Sequence, residues 1–267
     1  MSTALPQEMQ QHTYAIMDEV EGSHWWFVGR RAILESFLKD IVKRLEFRLK
    51  AADAEAGPTK AGTPSLRILD IGCGTGANIE MLSQYGEAEG VDVSDDALEF
   101  CRKKGLKVQK GLAETLPYDD ETFDLTTALD VVEHLDDDVT GLREMHRVTK
   151  SGGYSLIFVP AFMWLWGVQD DISNHRIRYT KSQIVERLKA AGYSIERATY
   201  ANWTFFAPIL GGRVFMKLTG IKPASENNIN ISALNGIFGK LFGAERFWLR
   251  NFNFPFGVSI VVVARKN

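Results

Sequence analysis

The 267-residue chain has little cysteine, no basic surplus and no long apolar run, and each shortage removes a class of protein. Two cysteines cannot build a disulfide framework, and one of them, Cys73, falls inside a glycine-rich segment, so a reducing, cytoplasmic setting is expected. A formal net charge of −3 argues against a nucleic-acid partner, which calls for an excess of lysine and arginine. No stretch nears the roughly 20 apolar residues of a membrane helix. The first eleven residues are polar and lack the apolar middle of a secretory signal. Cysteine, histidine and acid spacing suggests no metal site, and Asp136-Asp137-Asp138 reads as a solvated helix start. No internal repeat or long low-complexity tract interrupts the chain.

What is present is ordinary globular material, 45% hydrophobic, enough for one large domain or two small ones. Residues 1–50 read as an N-terminal helical cap, with Ile33, Leu34, Phe37, Leu38, Ile41, Val42 and Leu45 at helical spacing. Residues 51–65, rich in Ala, Gly, Pro and Thr, read as a linker. From 66 to 200 short apolar strands (66–70, 88–93, 106–109, 123–132, 154–159 and 194–200) alternate with helices (78–85, 95–104, 136–148 and 180–191). That order predicts an α/β fold: a doubly wound, mostly parallel sheet of seven strands with helices on both faces. Residues 201–252 read as an insertion rich in Phe, Trp, Gly and Leu. Residues 253–267 close the chain, and the apolar run 257–265 suits a strand buried on both faces.

The strongest chemical signal is Asp70-Ile71-Gly72-Cys73-Gly74-Thr75-Gly76 at the end of the first strand. Glycines let a tight turn form and let backbone approach a ligand. The helix that follows offers free N–H groups to a carboxylate or phosphate. The spacing is G-x-G-x-G, not the G-x-G-x-x-G of dinucleotide sites, which favours S-adenosylmethionine (SAM) over a nicotinamide. Asp92 ends the next strand, placed to accept from both ribose hydroxyls of an adenosine.

These motifs, with Gly90-Val91-Asp92-Val93-Ser94, Glu114-Thr115-Leu116-Pro117, Phe123-Asp124 and Glu133-His134-Leu135, resemble those of class I SAM-dependent methyltransferases. The resemblance is to the ubiquinone/menaquinone-type small-molecule branch and covers residues 66–160. It implies that Gly72, Cys73 and Gly74 line the methionine part of SAM, that Asp92 holds the ribose and that Val93 packs on the adenine. Ala113 and Glu114 would flank the adenine edge. Relatives carry an acid where this chain has Leu112, so adenine recognition falls to backbone atoms and packing. Leu129, Asp130 and His134 would face the sulfonium or the acceptor, His134 alternatively only bracing its loop.

A narrower resemblance rests on 24–31 (HWWFVGRR), Val159-Pro160-Ala161, Leu165-Trp166 and 175–180 (HRIRYT), with Gln169 standing where that subgroup carries histidine. The loop 162–179 is expected to wall the acceptor site. Trp26, Trp164, Trp166, Arg178 and Tyr179 are expected at the acceptor, and His175 or Asp170 as general base. The competing reading is a structural loop. Tyr14, Trp26 and Arg30 form either a lid, with Arg30 reaching the donor carboxylate, or core under a helix. Residues 203–252, apolar with interleaved Arg and Lys, read as an acceptor lid, a dimer contact, a peripheral membrane contact or plain core. The expected activity is methyl transfer to a small hydrophobic acceptor, by a monomer or homodimer. The alternatives are a nicotinamide-dependent oxidoreductase, a non-catalytic SAM-binding protein, and a protein or RNA methyltransferase, the last disfavoured by Leu129-Asp130-Val131-Val132 in place of Asn-Pro-Pro-Tyr.

Overall fold

The computed structural model describes residues 11–56, 65–220 and 232–267. Seven strands form one sheet: β1 (Arg67–Ile71), β2 (Glu87–Asp92), β3 (Val108–Lys110), β4 (Phe123–Leu129), β5 (Thr149–Pro160), β6 (Ser194–Ala201) and β7 (Ser259–Arg265). Their spatial order is β3-β2-β1-β4-β5-β7-β6, and β7 runs antiparallel between β5 and β6. The order reverses direction between β1 and β4, the crevice where open α/β sheets bind ligands.

Strand alternation builds a core on each face. Leu69, Ile157, Ile260 and Val262 point into one apolar cluster, while Ile68, Leu156, Phe158 and Val261 point into the other. The first is closed by α5 (Asp138–Val148) and α7 (Lys181–Ala190), through Leu142, Met145, Ile184 and Leu188. The second is closed by α2 (Trp25–Ala56), which follows α1 (Gln11–Val20) after a break at 21–24. The helical-spaced residues Ile33 to Leu45 of α2 are its buried face. Helices α3 (Ala77–Leu82) and α4 (Asp95–Lys103) complete the layers around β1 and β2.

Several boundaries differ from expectation, and three of them shape the site or the layers around it. The segment expected to start a linker at 51 continues α2 to Ala56, because Ala51-Ala52-Asp53-Ala54-Glu55-Ala56 is good helix material; residues 57–64 lie outside the described residues. The fifth strand begins at Thr149, before the glycines. The fourth stops at Leu129 and not Val132, because Asp130 adopts φ 61° and a 3-10 turn, Val132–His134, follows. That turn aims Asp130 and His134 over the crevice.

The segment expected as an insertion holds α8 (Phe206–Thr219), α9 (Ser232–Gly243) and α10 (Glu245–Leu249). Helix α9 crosses α2 so closely that a Cβ on Gly29 would collide with the Phe242 ring. Phe242 and Leu249 are buried in the α2 cluster, so part of this segment is core. Glu245 ties it to the sheet, accepting from Asn202 N–H and Thr204 N–H at 2.8 Å each.

Candidate active site

One cavity of about 520 Å³ runs from the β1 loop to the underside of α8 and α9. Around the β1 loop its lining includes Gly72, Cys73, Gly74, Asp92, Val93 and Ala113. The loop conformation depends on glycine: Gly72 has φ 67°, and a Cβ there would strike Val131. Asp92 lines the cavity and also shapes the loop, accepting from Gly74 N–H (2.8 Å) and Ser94 N–H (2.9 Å). Cys73 and Cys101 are buried and free, and the Cys101 thiol donates to Gly74 O at 3.2 Å.

Asp70 lies beneath the loop and not in the cavity wall. Its carboxylate accepts from Thr127 Oγ1 at 2.6 Å, and burial raises it to about 7 despite that bond. Gly76 caps α3 with φ 93° and likewise stays out of the cavity. Glu114 is half-buried outside it, so of the pair expected at the adenine edge only Ala113 faces the chamber, beside Gly111. Leu112 is exposed.

The middle of the cavity holds Arg30, Leu129, Asp130 and His134. Arg30 is 4% exposed: Nε pairs with Asp130 at 2.9 Å and an Nη donates to Leu129 O at 3.2 Å. Its guanidinium stands over the rings of Trp26 (5.2 Å) and Phe158 (5.4 Å). Burial raises the Asp130 carboxyl and Arg30 opposes the shift. Arg30 therefore lines the cavity while its guanidinium is held by Asp130 and Leu129 O. Tyr14, Trp26 and the buried Phe27 also line the cavity.

A second polar group in the lining is organised by Asp170 on the short helix α6 (Val168–Ile172). Asp170 Oδ1 accepts from His175 Nδ1 at 2.8 Å and Arg178 Nε at 2.7 Å; Arg213 of α8 lies 3.8 Å from Oδ2. Burial alone would raise this carboxyl, but His175 and Arg178 overcome it and hold it at about 2. Asp170 is thus a fixed anion that orients His175. Burial, then the charge of His175, pushes His134 down to about 3, so its imidazole is neutral.

Three residues expected at the acceptor are elsewhere. Tyr179 is fully buried in the core, its hydroxyl donating to Asp138 at 2.9 Å, because a large ring between β5 and α7 is worth more as packing. Trp164 is half-exposed outside the cavity and stacks on Phe162 at 5.0 Å. Trp166 turns its indole N–H to Asp171 at 2.8 Å. The apolar wall comes instead from Phe205, Pro208, Ile209, Met216 and Phe238, residues the sequence placed in the insertion without singling out for a site. Of the Asp136–Asp138 run, Asp137 caps α5 through Thr140 N–H at 3.0 Å, while Asp136 and Asp138 pair with Arg176 and Arg187.

Residues 69–157 match the model of the methyltransferase domain family. Residues 69–157 form a class I, SAM-dependent methyltransferase domain. Demethylmenaquinone methyltransferase of Chlorobaculum tepidum is 35% identical over 98 residues, 35% of this chain and 40% of that protein. Rice 2-methyl-6-phytyl-1,4-hydroquinone methyltransferase 1 is 32% identical over 108 residues, 38% of this chain and 33% of that protein. The chain thus spans well under half the length of these curated relatives. A SAM-dependent methyltransferase from Thermotoga maritima has the same fold with TM-score 0.55 at 22% identity, covering 95% of this chain and 97% of that one. The domain's cofactor is SAM, and the glycine turn, the buried acid below it and Asp92 at its rim are a cradle of the right chemistry.

Proposed function

We propose that the protein transfers the methyl group of SAM to a small, largely apolar acceptor carrying an oxygen, nitrogen or acidic carbon. The observation that supports this is a single cavity lined both by the β1 loop with Asp92 and by the apolar Ile209, Met216 and Phe238. An apolar chamber with a few polar groups at its base suits a lipophilic ring better than an amino acid. The names of the relatives, demethylmenaquinone and phytyl-hydroquinone methyltransferases, point the same way.

SAM supplies an electrophilic methyl and its own leaving group. The chain's residues hold the acceptor in line behind that methyl, and positioning supplies much of the rate. For a phenolic acceptor, His175 takes the hydroxyl proton at Nε2, its Nδ1–H held by Asp170 at 2.8 Å and Asp170 held by Arg178.

Exposed apolar side chains accompany the cavity on α8, α9 and α10. Phe215, Leu218, Ile237, Leu241, Phe247 and Trp248 are exposed, with Lys217, Lys240, Arg246 and Arg250 among them. No described helix is long and apolar enough to cross a membrane. Contact with an anionic bilayer surface, from which a lipophilic acceptor would be drawn, fits that mix of side chains.

The test is incubation with SAM and a panel of hydroquinones, phenols and polar amines, reading methylated product by mass spectrometry. Hydroquinones or phenols should be methylated, and His175→Ala should slow that step roughly 10²–10⁴-fold. Turnover of the polar amines alone, or of nothing while SAM binds, contradicts the proposal.

A further inference from the structure

Beside the donor site stands a buried carboxylate with no partner. Glu133 is completely buried, and neither of its side-chain oxygens has a hydrogen bond among the described residues. His175 Nε2 is 3.9 Å from Glu133 Oε1, too far for a hydrogen bond. A buried polar group left unmatched costs about 1–3 kcal/mol, and natural cores keep few of them without a reason.

Two imidazoles face the same point with their lone pairs already exposed. His175 spends Nδ1 on Asp170 at 2.8 Å, which leaves Nε2 toward Glu133. His134 bonds the backbone of Ser173, and its Nδ1 has no partner. The two rings stand edge to face, 4.7 Å between centroids. A backbone bond from Arg176 N–H to Glu133 O at 2.7 Å clamps the two loops in this register. The ligand atoms of Glu133, His134 and His175 all lie within 4.8 Å of one another.

We propose that Glu133, His134 and His175 bind one first-row divalent transition-metal ion, with open coordination positions facing the acceptor chamber. Two neutral imidazoles and a carboxylate are the donor set that zinc, iron(II) and cobalt(II) take, while calcium and magnesium prefer oxygen alone. Bonds of roughly 2.1 Å in a tetrahedral site put ligand atoms about 3.4 Å apart, so the widest pair closes by about 1.4 Å, an adjustment for rotation of the two imidazoles and the Glu133 side chain. Asp170 behind His175 is the outer-shell carboxylate that fixes a ligating histidine's tautomer. His134 and His175 line the cavity, so an ion between them reaches it. An ion on Nε2 displaces the proton-accepting role given to His175 above. An acceptor hydroxyl then ligates the ion and releases its proton to water, and this replaces that base without altering the methyl-transfer reading.

The probe is cobalt(II) alone, added to chelator-treated full-length protein without SAM or acceptor and followed by its visible d–d absorption. A band saturating at one equivalent is expected. His175→Ala and Glu133→Gln should each abolish saturation, and the positioning variant Asp170→Asn should weaken binding roughly 10–100-fold. Thermal melting checks that each variant is folded; His175, on a surface loop, serves if Glu133→Gln does not fold. No saturable band with folded wild type, or one that His134→Ala and His175→Ala leave intact, overturns the site. Because neither donor nor acceptor is present, this outcome is separate from success or failure of methyl transfer.

Discussion

Replacing Arg30 by methionine separates bracing of the site from donor binding. The guanidinium is 5% exposed and 2.9 Å from a carboxylate that is 25% exposed, and it also bonds Leu129 O. Two unit charges about 4 Å apart attract by about 4 kcal/mol at an effective dielectric near 20. Removing one partner of such a buried pair costs about 3–5 kcal/mol, since the other charge stays buried. Methionine keeps the apolar volume against Trp26 and Phe158, so packing loss is minor. The deficit should therefore be about 3–5 kcal/mol in urea unfolding, or roughly 6–20 °C in Tm.

Its pH dependence carries a sign. The Asp130 carboxyl is already raised by burial in the fold, so its contribution is present below the unfolded pKa and fades as pH rises through the folded one. Losing Arg30 raises the folded value further, so the deficit should be larger at about pH 8 than at about pH 5. Arg30→Met with Asp130→Asn should recover most of the loss at the higher pH. A single variant within about 1 kcal/mol of wild type at both pH values would refute the reasoning.

Glu245→Ala should cost about 2–5 kcal/mol in urea unfolding, because Asn202 N–H and Thr204 N–H lose their acceptor, with Glu245→Gln milder. Asp70, at about 7 in the fold against 3.8 unfolded, contributes stability at low pH that is lost as pH rises to about 7. Asp70→Asn should remove that downward slope, worth at most about 4 kcal/mol, in unfolding curves taken across the range.

The sheet was legible because its residues repeat a simple rule: apolar strands ending in Asp70 and Asp92, each followed by a helix. The glycine turn after β1 was legible because φ 67° at Gly72 leaves glycine little competition. What escaped depends on distances in space. Tyr179 and Trp166 carry the residue types of a binding loop, but Asp138 and Asp171 satisfy their polar atoms and turn them from the cavity. The roof of the chamber was hidden in an apolar segment where Phe242 serves the core and Phe238, four residues earlier, the cavity. Glu133 was visible beside His134, whereas His175 joins them only through the fold, so spacing along the chain showed no metal-type cluster.

The central claim is that the β1 loop and Asp92 bind SAM. Isothermal calorimetry with SAM and S-adenosylhomocysteine, on wild type, Asp92→Ala and Gly74→Val, tests it most directly. Wild type should bind both ligands. Asp92→Ala should lose roughly 10²–10⁴-fold, for two charge-assisted bonds of about 1.5–3 kcal/mol each. Gly74→Val should abolish binding, because it forces a branched residue to φ 52°. A folded wild type that binds neither ligand, or Asp92→Ala binding as wild type does, would contradict the account.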